Sequence, residues 1–167
     1  MNLFDPKIKG NEKQYLFQCG LATFSILVVL LFLDILKHTA IIATLGATAF
    51  IIFIMPKSYI SMPRQVLGGY LIGMVIGCLC HLLAYLSIIA LSFVSQNVFI
   101  ITFGALAVGS SIFLMTITDT EHPPAAAMAL GLVLNQWNHQ SIIFIAFAIL
   151  FMTIVKSLLE PILLDLM

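Results

Sequence analysis

The sequence predicts an all-α, polytopic transmembrane bundle of four long spans and two short helical segments, and three observations predict it. Apolar residues make up 62% of the chain and charged residues 8%, against about 25% charged in a soluble domain, too few to build a water-facing surface. Four apolar runs are each long enough to cross about 30 Å of hydrocarbon as helices. The polar breaks between runs are too short to hold a second domain, so residues 1–167 read as a single membrane domain.

Residues 1–14 carry Lys7, Lys9 and Lys13 ahead of the apolar run Tyr15–Leu36. That run is longer than a signal-peptide core and lacks a small-residue cleavage site, so it reads as a retained first span. No Arg-rich, Ser-rich transit segment precedes it, which makes a bacterial inner membrane the expected address. Ala40–Met55 follows and would be roughly 24 Å long as a helix, short for a span. Val66–Phe93 and Val98–Thr118 are long spans. Pro123–Leu134 is the second short segment, roughly 18 Å long. Ser141–Leu159 closes the series as the fourth long span. The two short segments read as half-helices, re-entrant segments or short spans.

Charge sets the number of crossings, because cytoplasmic loops collect Lys and Arg. With six crossings, Lys7, Lys9, Lys13, Lys57, Arg64 and Lys156 share one side and Lys37 stands alone on the other. If both short segments return to the side they entered from, Lys37, Lys57 and Arg64 all move outside and the asymmetry weakens to four against three. Six segments with both termini cytoplasmic are therefore expected. The order long, short, long occurs twice, in residues 15–93 and 98–160, and each short segment opens with a histidine just after an acidic residue: Asp34 before His38, and Asp119 before His122. Three crossings per half is an odd number, so the second copy would enter the membrane upside down as an inverted repeat. Gly69, Gly73 and Gly77 form a small-xxx-small ladder, and Ala105 with Gly109 or Ala125 with Ala129 share its spacing, which points to close helix contact or dimerisation.

Several function classes are excluded or disfavoured. Seven Lys+Arg balance seven Asp+Glu, so there is no basic patch for nucleic acid. Cys19, Cys78 and Cys80 lie in apolar runs and behave as small hydrophobes, with no disulfide framework. No Ser-His pair marks an enzyme and no catalytic residue is assigned. No cofactor is expected, and no ligand spacing marks a metal site. His81 alone in a long apolar run reads as a buried, hydrogen-bonded side chain. Lys156 reads as a snorkelling residue near the inner end of the last span, and Trp137 as an interfacial anchor.

The unusual stretch is Thr116–Ala127, TITDTEHPPAAA, where ionisable groups meet two prolines between apolar segments. Pro123 and Pro124 fit the first turn of a helix and push His122 towards an extended conformation. A short helix starting there would present unpaired N–H groups and a positive dipole end to a cavity, which stabilises an anion. By the repeat, a second such end is expected near His38–Thr44, with Thr39, Thr44 and Thr48 adding hydroxyls and Gly46 allowing close approach. The candidate substrate-binding residues are therefore His122, Pro123, Pro124, Ala125, Thr120, Thr44, Gly46 and Thr48. Asp119 and Glu121 would repel an anion unless protonated or paired, so with His122 they are the candidate proton-coupling groups.

Glu121-His122-Pro123-Pro124-Ala125 resembles the signature of the HPP family of small integral membrane proteins. Pro6-Lys7-Ile8-Lys9-Gly10 is similar to that family's amino-terminal Pro-Lys-x-Lys-Gly element, and Gly46-Ala47-Thr48 to its Gly-Ala-Ser/Thr element. Pro56-Lys57-Ser58, Pro63-Arg64 and Gly68-Gly69 match its middle loop in type and spacing. The resemblance runs from about residue 6 to residue 134. Two positions depart from it: Ala126 stands where the family often has Gly, and Tyr70 where His often follows Gly-Gly. Members in cyanobacteria and chloroplasts are linked to nitrite transport, so the resemblance implies nitrite or a similar small anion. Some relatives carry fused CBS domains, and these 167 residues hold none. The leading expectation is a transporter or channel for a small inorganic anion, lipid-embedded and homo-oligomeric, a dimer by default. The alternative is a non-transporting membrane scaffold or regulatory module.

Overall fold

A computed structural model of the protein describes residues 10–32, 39–91, 93–135 and 137–166. Six helices follow in chain order: α1 (Glu12–Phe32), α2 (Thr39–Ile54), α3 (Pro63–Ala90), α4 (Gln96–Thr118), α5 (Pro123–Leu134) and α6 (His139–Leu159). A 3-10 turn at Tyr59–Ser61 lies between α2 and α3, and no strand occurs among the described residues. Helices α3, α4 and α6 are long and apolar enough to cross a membrane by length and composition, while α2 and α5 are shorter apolar helices. Three of the four expected long spans are thus found. The fourth corresponds to α1, whose expected end at Leu36 lies outside the described residues, as do Asp34, Lys37 and His38 of the expected repeat.

Local chemistry explains where the helices start and stop. Helix α3 starts at Pro63 rather than the expected Val66, because a proline's missing N–H and fixed φ suit the first helical position. Helix α6 starts at His139 rather than Ser141, because the Asn138 side chain accepts from the Ser141 N–H at 2.8 Å. Helix α4 closes on Asp119 at φ 59°, the one positive-φ non-glycine residue described. A short polar side chain tolerates that left-handed cap better than most. Helix α5 occupies the expected Pro123–Leu134, with both prolines in its first turn.

Contacts fix the directions. Gly69, Gly73 and Gly77 of α3 meet His122, Ala125 and Ala129 in ascending order, so α3 and α5 run parallel. Ile41 meets Gly131, Thr44 meets Met128 and Thr48 meets His122, so α2 and α5 run antiparallel. Gln18 near the start of α1 donates to the Phe53 carbonyl near the end of α2, at 2.6 Å. Arg64 at the start of α3 reaches the Thr118 carbonyl at the end of α4. Past α6, the Leu166 N–H returns to the Ile54 carbonyl. One end of the bundle therefore gathers the starts of α1, α3 and α5 and the ends of α2, α4 and α6. All four described basic residues, Lys13, Lys57, Arg64 and Lys156, lie at that end.

In this parallel register Pro123 lies level with Leu71, about eight residues past Pro63, so α5 begins roughly 12 Å inside the end of α3. Helix α5 is packed on α2, α3 and α4. Pro124, Ala125, Ala126, Met128, Ala129, Gly131, Leu132 and Val133 are buried. A helix wrapped by its neighbours need not span the hydrocarbon itself, which is why a short one is stable here.

The molecule is apolar outside, and a mainly apolar core encloses several polar side chains. Phe93, Leu16, Leu158 and Leu71 are exposed, whereas Gln18, Thr48, Gln65, Ser111, His122 and Lys156 are buried. An apolar exterior of this extent is a lipid-facing one. Lys156 does not snorkel as the sequence suggested. Its side chain is buried and its Nζ donates to Glu160 Oε1 at 3.2 Å, one turn on, because neighbouring helices close over its stem. Lys156→Met is expected to leave stability unchanged or raised. Glu160→Gln, which strands a buried ammonium, should lower it by about 1 kcal/mol or more. Unfolding midpoints in detergent decide this, and equal midpoints for the two variants would refute it.

Candidate functional site

The site is built on the short link from Asp119 to His122, which dips from the end of α4 into the bundle. His122 is extended, at φ −140° and ψ 96°, as a residue before proline must be. Its ring is fully buried and bonded at both nitrogens. Nδ1 lies 2.9 Å from the Ile60 carbonyl oxygen and Nε2 lies 3.0 Å from Thr48 Oγ1. A carbonyl only accepts, so Nδ1 carries a proton and, in the neutral ring, Nε2 accepts from Thr48. Thr48 Oγ1 lies 2.6 Å from Tyr70 Oη, and the Tyr70 hydroxyl also reaches the Thr44 carbonyl at 3.2 Å. The Tyr70 and His122 rings pack at 5.4 Å, tilted by 45°. Helices α2 and α3 each contribute one side chain to this chain of groups, and the residue that caps α5 contributes the third.

The ring can sit so close to α3 only because Gly69 is a glycine. A Cβ there would come within 2.9 Å of both the His122 Cβ and the Thr120 carbonyl oxygen. The Gly69-Gly73-Gly77 ladder is thus the surface on which α5 docks, with Ala125 and Ala129 as its counterpart. Ala105 and Gly109 share the spacing but face outward, and space around Gly109 is open.

A polar roof covers the site at the basic end. The Tyr59 hydroxyl lies 2.5 Å from Asp119 Oδ1 and 3.0 Å from Glu121 Oε2, bridging the two carboxylates. Arg64 Nη1 pairs with Asp119 Oδ2 at 3.3 Å, and Arg64 Nη2 donates to the Thr118 carbonyl at 3.0 Å. The Asp119 carboxylate holds the Tyr59 phenol proton, so this group titrates above its ordinary value. Gln65 is buried beside them, its Oε1 without a partner. Tyr59→Phe removes the bridge, and cleavage by trypsin at Lys57 and Arg64 is expected to speed up about five-fold, the equivalent of one hydrogen bond of ~1 kcal/mol. An unchanged cleavage rate would show that the bridge holds nothing in place.

Beside His122, a cleft of about 550 Å³ opens between α4 and α5, lined by Met115, Thr116, Glu121, His122, Pro123 and Ala126 among others. Its walls are almost wholly apolar, and Glu121 and His122 are its ionisable groups.

The structure brings some expected site residues together and separates others. His122 and Thr48 meet directly, and Asp119 and Glu121 meet through Tyr59 rather than on the imidazole. The two short-helix N-termini do not face one another. Because α2 and α5 pack antiparallel side by side, the start of α2 at Ile41 lies against Gly131 near the end of α5. Nor does α5 offer free N–H groups to an anion. Pro123 and Pro124 have none, and the Ala125 N–H is spent on the His122 carbonyl at 2.9 Å.

Gly46 faces a separate apolar groove against α1, with Cys19, Ala22 and Phe50. The Thr44 hydroxyl is bound to the Ile41 carbonyl at 2.7 Å, leaving its carbonyl as the part that serves the site. Thr120 packs on Gly68 and bonds Thr118 Oγ1 at 2.8 Å. Pro124 and Ala125 are buried in the helix contact, and Pro123 is exposed at the cleft. His81 is half-buried against Trp137, rings 5.4 Å apart, with no hydrogen bond among the described residues, since it faces a groove rather than the core. Trp137 donates to the Leu132 carbonyl at 2.9 Å.

Sequence reasoning missed Tyr70, Tyr59, Arg64 and the Ile60 carbonyl as site groups. A signal existed only for Tyr70, a hydroxyl-bearing ring following Gly68-Gly69 in a glycine ladder.

A family profile described as the HPP transmembrane region matches residues 7–163. A curated transmembrane protein of Dictyostelium discoideum is 34% identical over 108 residues, 63% of this chain and 35% of that protein, so the chain spans about a third of the relative's length. No solved structure matches the chain.

Proposed function

The chain belongs to the HPP transmembrane family, and from that premise we propose that this multi-pass membrane protein moves a small inorganic anion, nitrite or one of its size and charge, together with a proton taken up by His122. One observation carries the reading: an ionisable ring, fully buried, at the start of a helix recessed roughly 12 Å into a mainly apolar bundle. Such a group costs stability and is retained in membrane proteins chiefly for function. The imidazolium, buried behind the wall of the α4–α5 cleft, would attract an anion there by its charge rather than by direct contact. With the backbone donors removed by Pro123 and Pro124, proton and anion would load together and leave together. Arg64 offsets the Asp119 charge, and Glu121, whose Oε2 lies 3.0 Å from the Tyr59 hydroxyl at the edge of the cleft, would be protonated while an anion is bound.

The wider architecture supports the same reading. The six helices alternate in direction, and α1 packs on α2 as α4 packs on α5. Helix α6 touches α2 and α1, more loosely, as α3 touches α5 and α4, which supports reading the two halves as an inverted repeat. The end that gathers the basic residues is placed in the cytoplasm of a bacterial inner membrane, with both termini there. A homodimer would pack through the outward face of α4 at Ala105 and Gly109, and cross-linking in native membranes that yields only monomer removes that element.

Purified protein in liposomes tests the transport reading. Nitrite entry driven by an inward proton gradient is expected to exceed that of empty liposomes at least tenfold and to collapse with a protonophore. If nitrite, nitrate, formate and chloride all fail to move in either direction of the gradient, transport is ruled out. A stoichiometric co-purifying partner alongside that failure would identify a membrane scaffold instead.

A further inference from the structure

The groups around His122 can hydrogen-bond completely in two opposite directions. With the imidazole neutral, the Tyr70 hydroxyl donates to Thr48 Oγ1, the Thr48 hydroxyl donates to Nε2, and Nδ1–H donates to the Ile60 carbonyl. With a proton added at Nε2, that nitrogen donates to Thr48 Oγ1, the Thr48 hydroxyl turns to donate to Tyr70 Oη, and the Tyr70 hydroxyl turns to the Thr44 carbonyl, already 3.2 Å away. No donor is orphaned in either arrangement. We infer that Thr48 and Tyr70 are positioning residues forming a reversible hydrogen-bond chain, which reverses when His122 takes up a proton and so allows a fully buried imidazole to be charged and discharged.

The proton balance is simple. The imidazole gains one proton at Nε2, the two hydroxyls keep their own protons and rotate, and no bond between heavy atoms changes. The rest of the surroundings offer the charge no partner. Helix α4 presents Met115 and Thr116. Tyr59, Asp119 and Arg64 are engaged with one another in the roof. Lys156 on α6 is turned to Glu160, and Glu12 and Lys13 of α1 are exposed. Glu121 shares the cleft with His122, its Oε2 3.0 Å from the Tyr59 hydroxyl. A buried donor without an acceptor costs about 1–3 kcal/mol, so in such a place the terminal acceptors decide whether the charged ring can exist. Thr48 supplies both donor and acceptor to Nε2, and Tyr70 with the Thr44 carbonyl completes the path.

This inference deepens the transport reading and rests on it for its purpose, but it can be tested apart from it. The ring nitrogens of His122 are followed by 15N NMR in detergent micelles across pH, with the signal assigned by its loss in His122→Gln. Thr48→Val, close in shape but without the hydroxyl, is expected to move the His122 midpoint to lower pH by about one unit or more, a tenfold loss of proton affinity. Thr48→Ser should restore the wild-type midpoint, and Tyr70→Phe should give a smaller shift in the same direction. The Thr48→Val shift with serine rescue, even in a protein that moves no anion in liposomes, supports the chain while overturning transport. A His122 midpoint that does not respond to Thr48→Val overturns the chain whatever the flux. If Thr48→Val does not fold, the Tyr70→Phe midpoint decides, an unchanged value counting against the proposal.

Discussion

Gly73→Ala is expected to destabilise the protein by about 3 kcal/mol, the upper part of the usual range for overpacking a tight helix contact. A Cβ at Gly73 would overlap the Ala125 carbonyl oxygen, and its neighbours, the Ala125 carbonyl carbon and Cβ, lie at 3.1 and 3.6 Å. The obstacle is the backbone of α5, not the end of a flexible side chain, so relief requires α3 and α5 to separate. That separation would also pull His122 from Tyr70 and Gly69 on α3, so under the proposed transport reading flux falls along with stability. Gly20→Ala and Gly46→Ala are the controls, since nothing lies within 4 Å of a Cβ at either. Both should be neutral or stabilising by up to about 1 kcal/mol through helix propensity. Unfolding in mixed detergent micelles measures the difference. A Gly73→Ala protein within about 0.5 kcal/mol of wild type would mean that these two helices do not touch as described.

His122→Ala carries the second large effect. Proton-coupled flux is expected to fall roughly 100-fold, the order contributed by a positioned acid–base group. Under the proposed transport reading, wild-type flux should rise as pH falls, because the protonated ring is the form that attracts the anion, and the variant should lose this dependence. The substitution also empties the space against Tyr70 and removes the partner of Thr48, for a stability cost of about 2 kcal/mol. Thermal unfolding therefore has to accompany flux, so that loss of fold is not read as loss of transport. His81→Ala is the comparison. His81 lies half-buried in a groove with Trp137 and away from the chain of hydroxyls, so its loss should leave the pH profile unchanged. If His122→Ala folds and transports with the wild-type pH profile, His122 serves only to start a helix.

The sequence by itself determined the membrane-helical class, the order of long and short segments, and the place where ionisable groups gather beside two prolines. These are properties of local composition and spacing: apolar runs set span length, Pro123 and Pro124 set where α5 begins, and an ionisable group among them is conspicuous because it is costly. The glycine ladder on α3 was likewise legible as a contact face, since removing side chains at every fourth position has one purpose in a helix surrounded by lipid.

Only the tertiary structure decided what meets what. That α2 and α5 lie antiparallel, with their N-termini at opposite ends of the contact, follows from helix packing and not from either helix's residues. The same packing turned Gly46 towards α1, closed over Lys156, and delivered Tyr70 and Thr48 to His122. Tyr59 and Arg64 came to the carboxylates because the link after α2 folds across the end of α4. Hydrogen bonds between residues that are tens of positions apart depend on depth, rotation and direction of whole helices, and apolar helices with no strongly polar face carry none of those quantities in their sequence.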